Sequence, residues 1–290
     1  MSFFSKSFEI GKGEYGNRIV LKGKWDDKIA KYARKDSICE FEVNSETAGT
    51  IKDLSFLVYF PELVNFVIID LNIKDISPIH SLHRLKSLEI STYCNTPIDF
   101  FQFPELENCI FYWRPKSDSL FECKTIRKLF ILHYPYHDGA KLAKLENLED
   151  LSIVSSPITD IRALGSLKKL KNLSLHILPK LSSLDGFVSC TNLQRLEIGT
   201  CKKIFSIKEL KNLINLENLT LDNCGDIDSL EPLEQLTKLK SLSFIESTNI
   251  VDGDLTPLLE LPKLQKIALQ NRRHYSHTRE GLERLLRTRQ

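Results

Sequence analysis

Asn147-Leu148-Glu149-Asp150-Leu151-Ser152-Ile153-Val154-Ser155-Ser156-Pro157-Ile158-Thr159-Asp160-Ile161-Arg162-Ala163-Leu164-Gly165-Ser166-Leu167 carries two hydrophobic periods in succession. Around Leu148, Leu151 and Ile153 apolar and polar residues alternate, as in a short strand with one buried face. Ile158, Ile161, Leu164 and Leu167 then fall three apart, the spacing of a tight helical return with one buried stripe. The next unit opens at Leu170, 22 residues after Leu148. That length is too short for a full α-helix plus its loops, so irregular or 3-10 returns are expected.

The strand half recurs along the chain. Leu85-x-x-Leu88-x-Ile90, Leu170-x-x-Leu173-x-Leu175, Leu193-x-x-Leu196-x-Ile198 and Leu216-x-x-Leu219-x-Leu221 repeat it. Counted by first apolar residue, the units begin at Leu63, Leu85, Leu106, Ile126, Leu148, Leu170, Leu193, Leu216, Leu239 and Leu264, and Ile38-x-x-Phe41-x-Val43 fits an eleventh. Those from Leu106 and Ile126 match worst. One such unit cannot bury its own apolar face, whereas stacked neighbours share a continuous core. Self-similarity at 20–25 residues therefore predicts a solenoid of stacked rungs.

The repeats, with the turns Ile76-Ser77-Pro78-Ile79 and Leu230-Glu231-Pro232-Leu233, resemble the leucine-rich repeat family, in the short-repeat class of the bacterial internalins. The resemblance covers residues 38–271. It implies an α/β solenoid: a right-handed superhelix with a parallel concave β-sheet and a convex side mostly irregular or 3-10. The family's inward Asn at the ninth position of the repeat is missing. Ser156, Cys201, Cys224 and Ser247 stand there in good rungs, and Leu71 or Leu178 elsewhere.

The ends read as caps. Residues 1–37 hold two strands around a glycine-rich turn, then a short amphipathic helix from about Asp26 to Lys35 with Ile29, Ala30, Tyr32 and Ala33 on one side. Residues 272–290 hold a helix over Thr278–Arg287 with Leu282, Leu285 and Leu286 on one face, and the segment is rich in arginine. A solvated helix face accounts for that basic cluster.

Charge is nearly balanced at +2, against a general polyanion binder. Seven scattered cysteines without a C-x-x-C pair suit free thiols in a reducing compartment. No basic start followed by an apolar run suggests a signal peptide, and no stretch approaches 18 apolar residues. These features predict a cytoplasmic protein without a membrane segment.

No motif argues for catalysis. Gly11-Lys12-Gly13-Glu14-Tyr15-Gly16 matches G-x-G-x-x-G, but the strand-like Arg18-Ile19-Val20-Leu21 follows where a dinucleotide site needs a helix N-terminus. A hairpin turn is expected there. His133 and His137, and His274 and His277, lack the converging ligands a metal requires. Neither a cofactor nor a metal is predicted, and the protein reads as a non-enzyme.

The residues between the buried strand positions point onto the concave face. Its charged groups are mostly acidic: Glu40, Glu42, Glu89, Asp150, Glu197 and Asp222, against Lys128, Arg195 and Lys266, with His176 among them. Such a face steers a basic partner and disfavours nucleic acid. Val67, Ile69, Ile110, Tyr112, Phe130 and Leu132 form an apolar stripe flanked by Trp113 and Tyr134. Either a partner or an irregular loop near Trp113 would hide that stripe. The expected partner-binding set is Glu89, Tyr112, Trp113, Phe130, Asp150, His176, Arg195, Glu197 and Asp222.

The expected function is a protein-binding module, monomeric when free, that sequesters or regulates a protein partner by occupancy. An immunity protein or antitoxin neutralising a basic toxin such as a nuclease is one concrete form. The alternative is an adaptor or regulatory subunit in a phosphatase or ligase complex.

Overall fold

A computed structural model describes residues 7–26, 29–31, 37–49 and 51–288. It divides into two compact units, residues 1–131 and 132–290. Tyr32 and Ala33 of the expected cap helix, residues 1–6 and Arg289 lie outside the described residues.

Unit 1 begins with an antiparallel hairpin, β1 (Phe8–Lys12) and β2 (Asn17–Leu21). From β2 onward the strands of its sheet, among the described residues, pair in parallel. The strands follow chain order: β3 (Ile38–Asn44), β4 (Asn65–Ile69), β5 (Ser87–Ser91), β6 (Asn108–Tyr112) and β7 (Lys128–Leu132). Residues 29–31 are helical, with Ile29 and Ala30 buried. Trp25 stacks on Phe56 at 4.4 Å and meets the edge of Phe60 at 5.9 Å. This aromatic cluster closes the start of the core. A single helical turn, α1 (Ser45–Ala48), follows β3.

Unit 2 continues with β8 (Asp150–Val154), β9 (Asn172–His176), β10 (Arg195–Gly199), β11 (Asn218–Asp222), β13 (Ser241–Phe244) and β15 (Lys266–Leu269), all parallel. The two-residue strands β12 (Asp226–Ile227) and β14 (Asn249–Ile250) pair separately. From β4 onward each repeat strand begins two residues after the apolar residue that marks its rung, whereas β3 begins at Ile38 itself. The first and last strand positions project onto the open sheet face, while Leu151, Ile153 and their equivalents fill the core.

The returns are 3-10 turns, for example Ser77–Ser81, Arg162–Ser166 and Glu231–Gln235. In the second of these, Leu164 donates to the Ile161 carbonyl and Leu167 to that of Leu164, both at 3.0 Å. Their spacing of three keeps Ile161, Leu164 and Leu167 on the buried side. Aspartates start many returns: Asp53, Asp75, Asp99, Asp138, Asp160 and Asp254 each accept from the amide two residues on. These are Asx turns, which bend the chain without cost to the core. The Ser55 hydroxyl and the Arg162 guanidinium, followed by the amide bonds, hold the Asp53 and Asp160 carboxyls below their ordinary range, and the amides of Ser77 and Thr256, with their hydroxyls, do the same for Asp75 and Asp254.

The inward polar ladder differs from the sequence expectation in two rungs and is filled in two others for which the sequence pattern names no residue. Asp70, fully buried, replaces Leu71 and accepts from the amides of Ile51 and Asn72. Thr92 and the buried guanidinium of Arg114 serve the next two rungs, Arg114 donating to the Thr92 carbonyl and hydroxyl. Thr248 replaces Ser247 because that turn is one residue longer, and its hydroxyl donates to the Leu221 carbonyl. Ser156, Cys201 and Cys224 do occupy the inward place, each bonding turn backbone.

The second helix, α2 (Arg279–Arg287), is capped by Thr278, whose hydroxyl accepts from the Gly281 amide at 3.1 Å. Leu282 and Leu286 are buried, whereas Leu285 faces solvent, a correction to the expected three-leucine face. Among the described residues no helix is long and apolar enough to cross a membrane.

Candidate partner-binding faces

In unit 1 the glycine turn folds onto the sheet. The amides of Tyr15 and Gly16 donate to the Glu40 carboxylate, the latter at 3.0 Å, and Asn65 Nδ2 donates to the same group at 3.0 Å. Gly13 allows this approach, since a Cβ there would overlap the carboxylate. Gly16 adopts φ +147°, where a Cβ would strike the Cys39 sulfur. The G-x-G-x-x-G segment is thus a hairpin turn whose amides already hold an anion, the chain's own Glu40. Glu40 is 1% exposed and cannot belong to an accessible acidic face. Tyr15 reaches further along the strand starts, where its hydroxyl accepts from Asn108 Nδ2 at 3.0 Å. Burial, followed by the charge of Glu14, pushes the Tyr15 phenol up.

Beside that turn the register aligns Glu42, Val67, Glu89 and Ile110 across β3 to β6. Glu42 pairs with Arg18 at 3.5 Å. Glu89 has no cationic partner among the described residues and stands between two apolar neighbours. Burial, and secondly the charge of Glu42, pushes its carboxyl above the ordinary range. Ile110 is 39% exposed, and Tyr112 lies edge-to-face with Tyr93 at 6.0 Å. Tyr93, 66% exposed, was not apparent as a site residue because it follows the strand rather than lying in it.

The flanks of the apolar stripe resolve differently. Trp113 is half-buried, stacked on Phe121 of the return segment at 5.6 Å and 6.0 Å from Phe111. Tyr134 is fully buried, its hydroxyl donating to the Asp138 carbonyl at 2.8 Å, so it flanks no open patch. Phe130 is half-buried on β7. No loop accounts for cover over Ile110 and Tyr93, which remain exposed.

The open face of unit 2 is polar and internally bonded. Asn172 donates to Asp150 and accepts from Arg195 at 3.4 Å. Ser174 donates to Glu197 at 3.3 Å, and the His176 ring lies 3.8 Å from the same carboxylate. Gly199 makes room for that ring, which a Cβ would overlap. Asp222 accepts from the Ser243 hydroxyl at 2.8 Å and from the Ile245 amide at 3.1 Å. Asp150, His176, Arg195, Glu197 and Asp222 therefore lie on one face as expected, and each has a neighbour within reach.

The histidines serve turns. His137 lies 3.2 Å from the Pro157 carbonyl and His274 2.9 Å from that of Ile250. Among the described residues no three His, Cys, Asp or Glu side chains converge as metal ligands.

No protein-family model matches the sequence, and no curated protein matches it. Solved structures do. An internalin (InlF) of Listeria monocytogenes superposes with TM-score 0.63 at 18% identity, over 89% of this chain and 83% of that one. Internalin C2 of the same organism gives 0.51 at 22% identity, over 73% and 83%. The functional domain of its InlJ, which includes a cysteine ladder, gives 0.52 at 16%, over 87% and 63%. Consecutive parallel strands joined by 3-10 returns, in a sheet not closed into a barrel, agree with these neighbours: the chain has the fold of an internalin-like leucine-rich repeat solenoid.

Proposed function

We propose that this protein is a non-enzymatic binding module that sequesters or regulates a basic protein partner on the open face of unit 1. The observation that carries the reading is Glu89, a carboxylate with no cationic partner among the described residues, set between Val67 and Ile110 beside the Tyr93–Tyr112 pair. A lysine or arginine from a partner would satisfy that charge, and the tyrosines would pack against its stem. Aromatic groups around a desolvated charge are the usual composition of an interface centre. The bonded polar face of unit 2 offers complementarity rather than an anchor.

The test is affinity capture from native lysate with mass spectrometry, comparing wild type with Glu89→Gln and Tyr112→Ala. Glu89→Gln separates contact from folding. Because burial, and secondly the charge of Glu42, raises the folded-state pKa of Glu89, its ionised form costs more in the folded than in the unfolded chain. Removing the charge then preserves or slightly raises stability. A captured basic protein should bind each variant about thirtyfold more weakly, the loss of a hot spot of about 2 kcal/mol. Unchanged affinity in both variants would sink the proposal. An immunity protein or antitoxin is its narrower form: the captured protein should then be a toxin, inhibited by wild type and released by Glu89→Gln.

A further inference from the structure

At the end of unit 2, β15 has β13 on one side and no strand on the other among the described residues. Between β15 and α2 lies an open cleft of about 610 Å³. Both Lys266 and Ile267 line it. Consecutive strand residues point to opposite faces, so a cleft that touches both reaches the edge of the strand itself. Its floor is apolar, with Ile267 and Leu286 buried. Its rim is basic. Arg279 is committed to Glu283 at 2.8 Å, which neutralises the one carboxylate that lines the cleft among the described residues. Lys266 and Arg287 have no carboxylate partner among the described residues.

We infer that this cleft binds an acidic peptide in extended form, added as a strand alongside β15. Main-chain groups on a free strand edge pair with another strand, and the side chains lining the edge choose which strand. Here two uncompensated cations select carboxylates, while Ile267 and Leu286 accept an apolar residue at the alternate position. Lys266 at the same time discourages β15 from pairing with a second copy of itself. The site is separate from the Glu89 face and takes a ligand of opposite charge.

The experiment is fluorescence anisotropy on the full chain with a fluorescein-labelled octapeptide of alternating aspartate and valine. Binding should weaken with added salt, because the cations are exposed. The double variant Lys266→Glu, Arg287→Glu should bind about tenfold more weakly, through the loss of two surface pairs and the repulsion that replaces them. Circular dichroism should show its fold intact, since neither side chain is buried. The same peptide N-methylated at alternate residues should fail to bind, because strand pairing is blocked. Equal binding of the methylated peptide or of an oligothymidylate would mean a generic basic surface and would overturn the proposal. So would undiminished binding by the double variant, or no binding of the octapeptide at millimolar concentration.

Discussion

One residue in unit 2 stands against its own chemistry. The turns after β7 to β11 and after β13 pass through a left-handed conformation at the same rung position: His133, Ser155, Ile177, Thr200, Asn223 and Glu246 all have φ between 55° and 59°. Asparagine tolerates this region, but β-branched residues there are outliers; of the two, Thr200 has a hydroxyl that accepts from Asn223 Nδ2 at 3.2 Å, whereas Ile177 is apolar. Ile177 is also 47% exposed, so its side chain gains little from burial. Its amide still donates to the Gly199 carbonyl at 2.9 Å, so the turn is retained for the sake of the ladder. Ile177→Asn should therefore raise stability by about 1 kcal/mol, read as a higher urea midpoint with unchanged slope. Ile177→Val, which keeps the branch, should give no gain. A destabilised Ile177→Asn variant would mean that the isoleucine side chain has a packing role outweighing the strain.

At the level of elements, the hairpin shows what local sequence can and cannot say. Period-two alternation placed Glu40, Glu89 and Glu197 on the open face, and the strand registers agree. The helix-less context of the glycine segment also pointed to a turn. Alternation says which way a side chain points but not what lies over it. Glu40 is covered by Tyr15 and Gly16, 25 and 24 residues earlier, a contact no local pattern encodes. The same holds for Arg114, whose buried position depends on Thr92 in the preceding rung, and for Thr248, displaced by a single added residue. The hairpin is testable on its own. Gly13→Ala forces a Cβ into the Glu40 carboxylate and should break its bonds to the two amides, each charge-assisted bond contributing about 1.5–3 kcal/mol. Faster hydrogen exchange at Tyr15 and Gly16, with protection of β8 to β11 unchanged, is the expected result. Unaltered exchange would show that the turn does not depend on Glu40.

Across the whole molecule the cysteines report how tightly the rungs are stacked. Cys109, Cys123, Cys190, Cys201 and Cys224 are buried, while Cys39 and Cys94 are partly exposed. Burial pushes the Cys123, Cys190 and Cys224 thiols up to about 11 and Cys201 to about 12, and Cys109 is raised as well. A thiol needs both access and deprotonation to react. In the stacked rungs these five have neither, and Cys201 and Cys224 are further engaged as donors to the carbonyls of Leu175 and Ile198. Titration of the native protein with a disulfide reagent at pH 8 should consume Cys94 first, then Cys39, whose thiol burial also pushes up and which donates to the Tyr15 carbonyl, and the other five only as fast as the chain opens. In denaturant all seven should react at once. Because repeats are stabilised chiefly by their neighbours, slow thiols that react in separate phases would identify the rungs that open first. Early release of Cys109 and Cys123 would locate the weakest stacking in the rung from Leu106, one of the two poorest matches to the repeat. Release of the five in a single phase would show that their rungs open together.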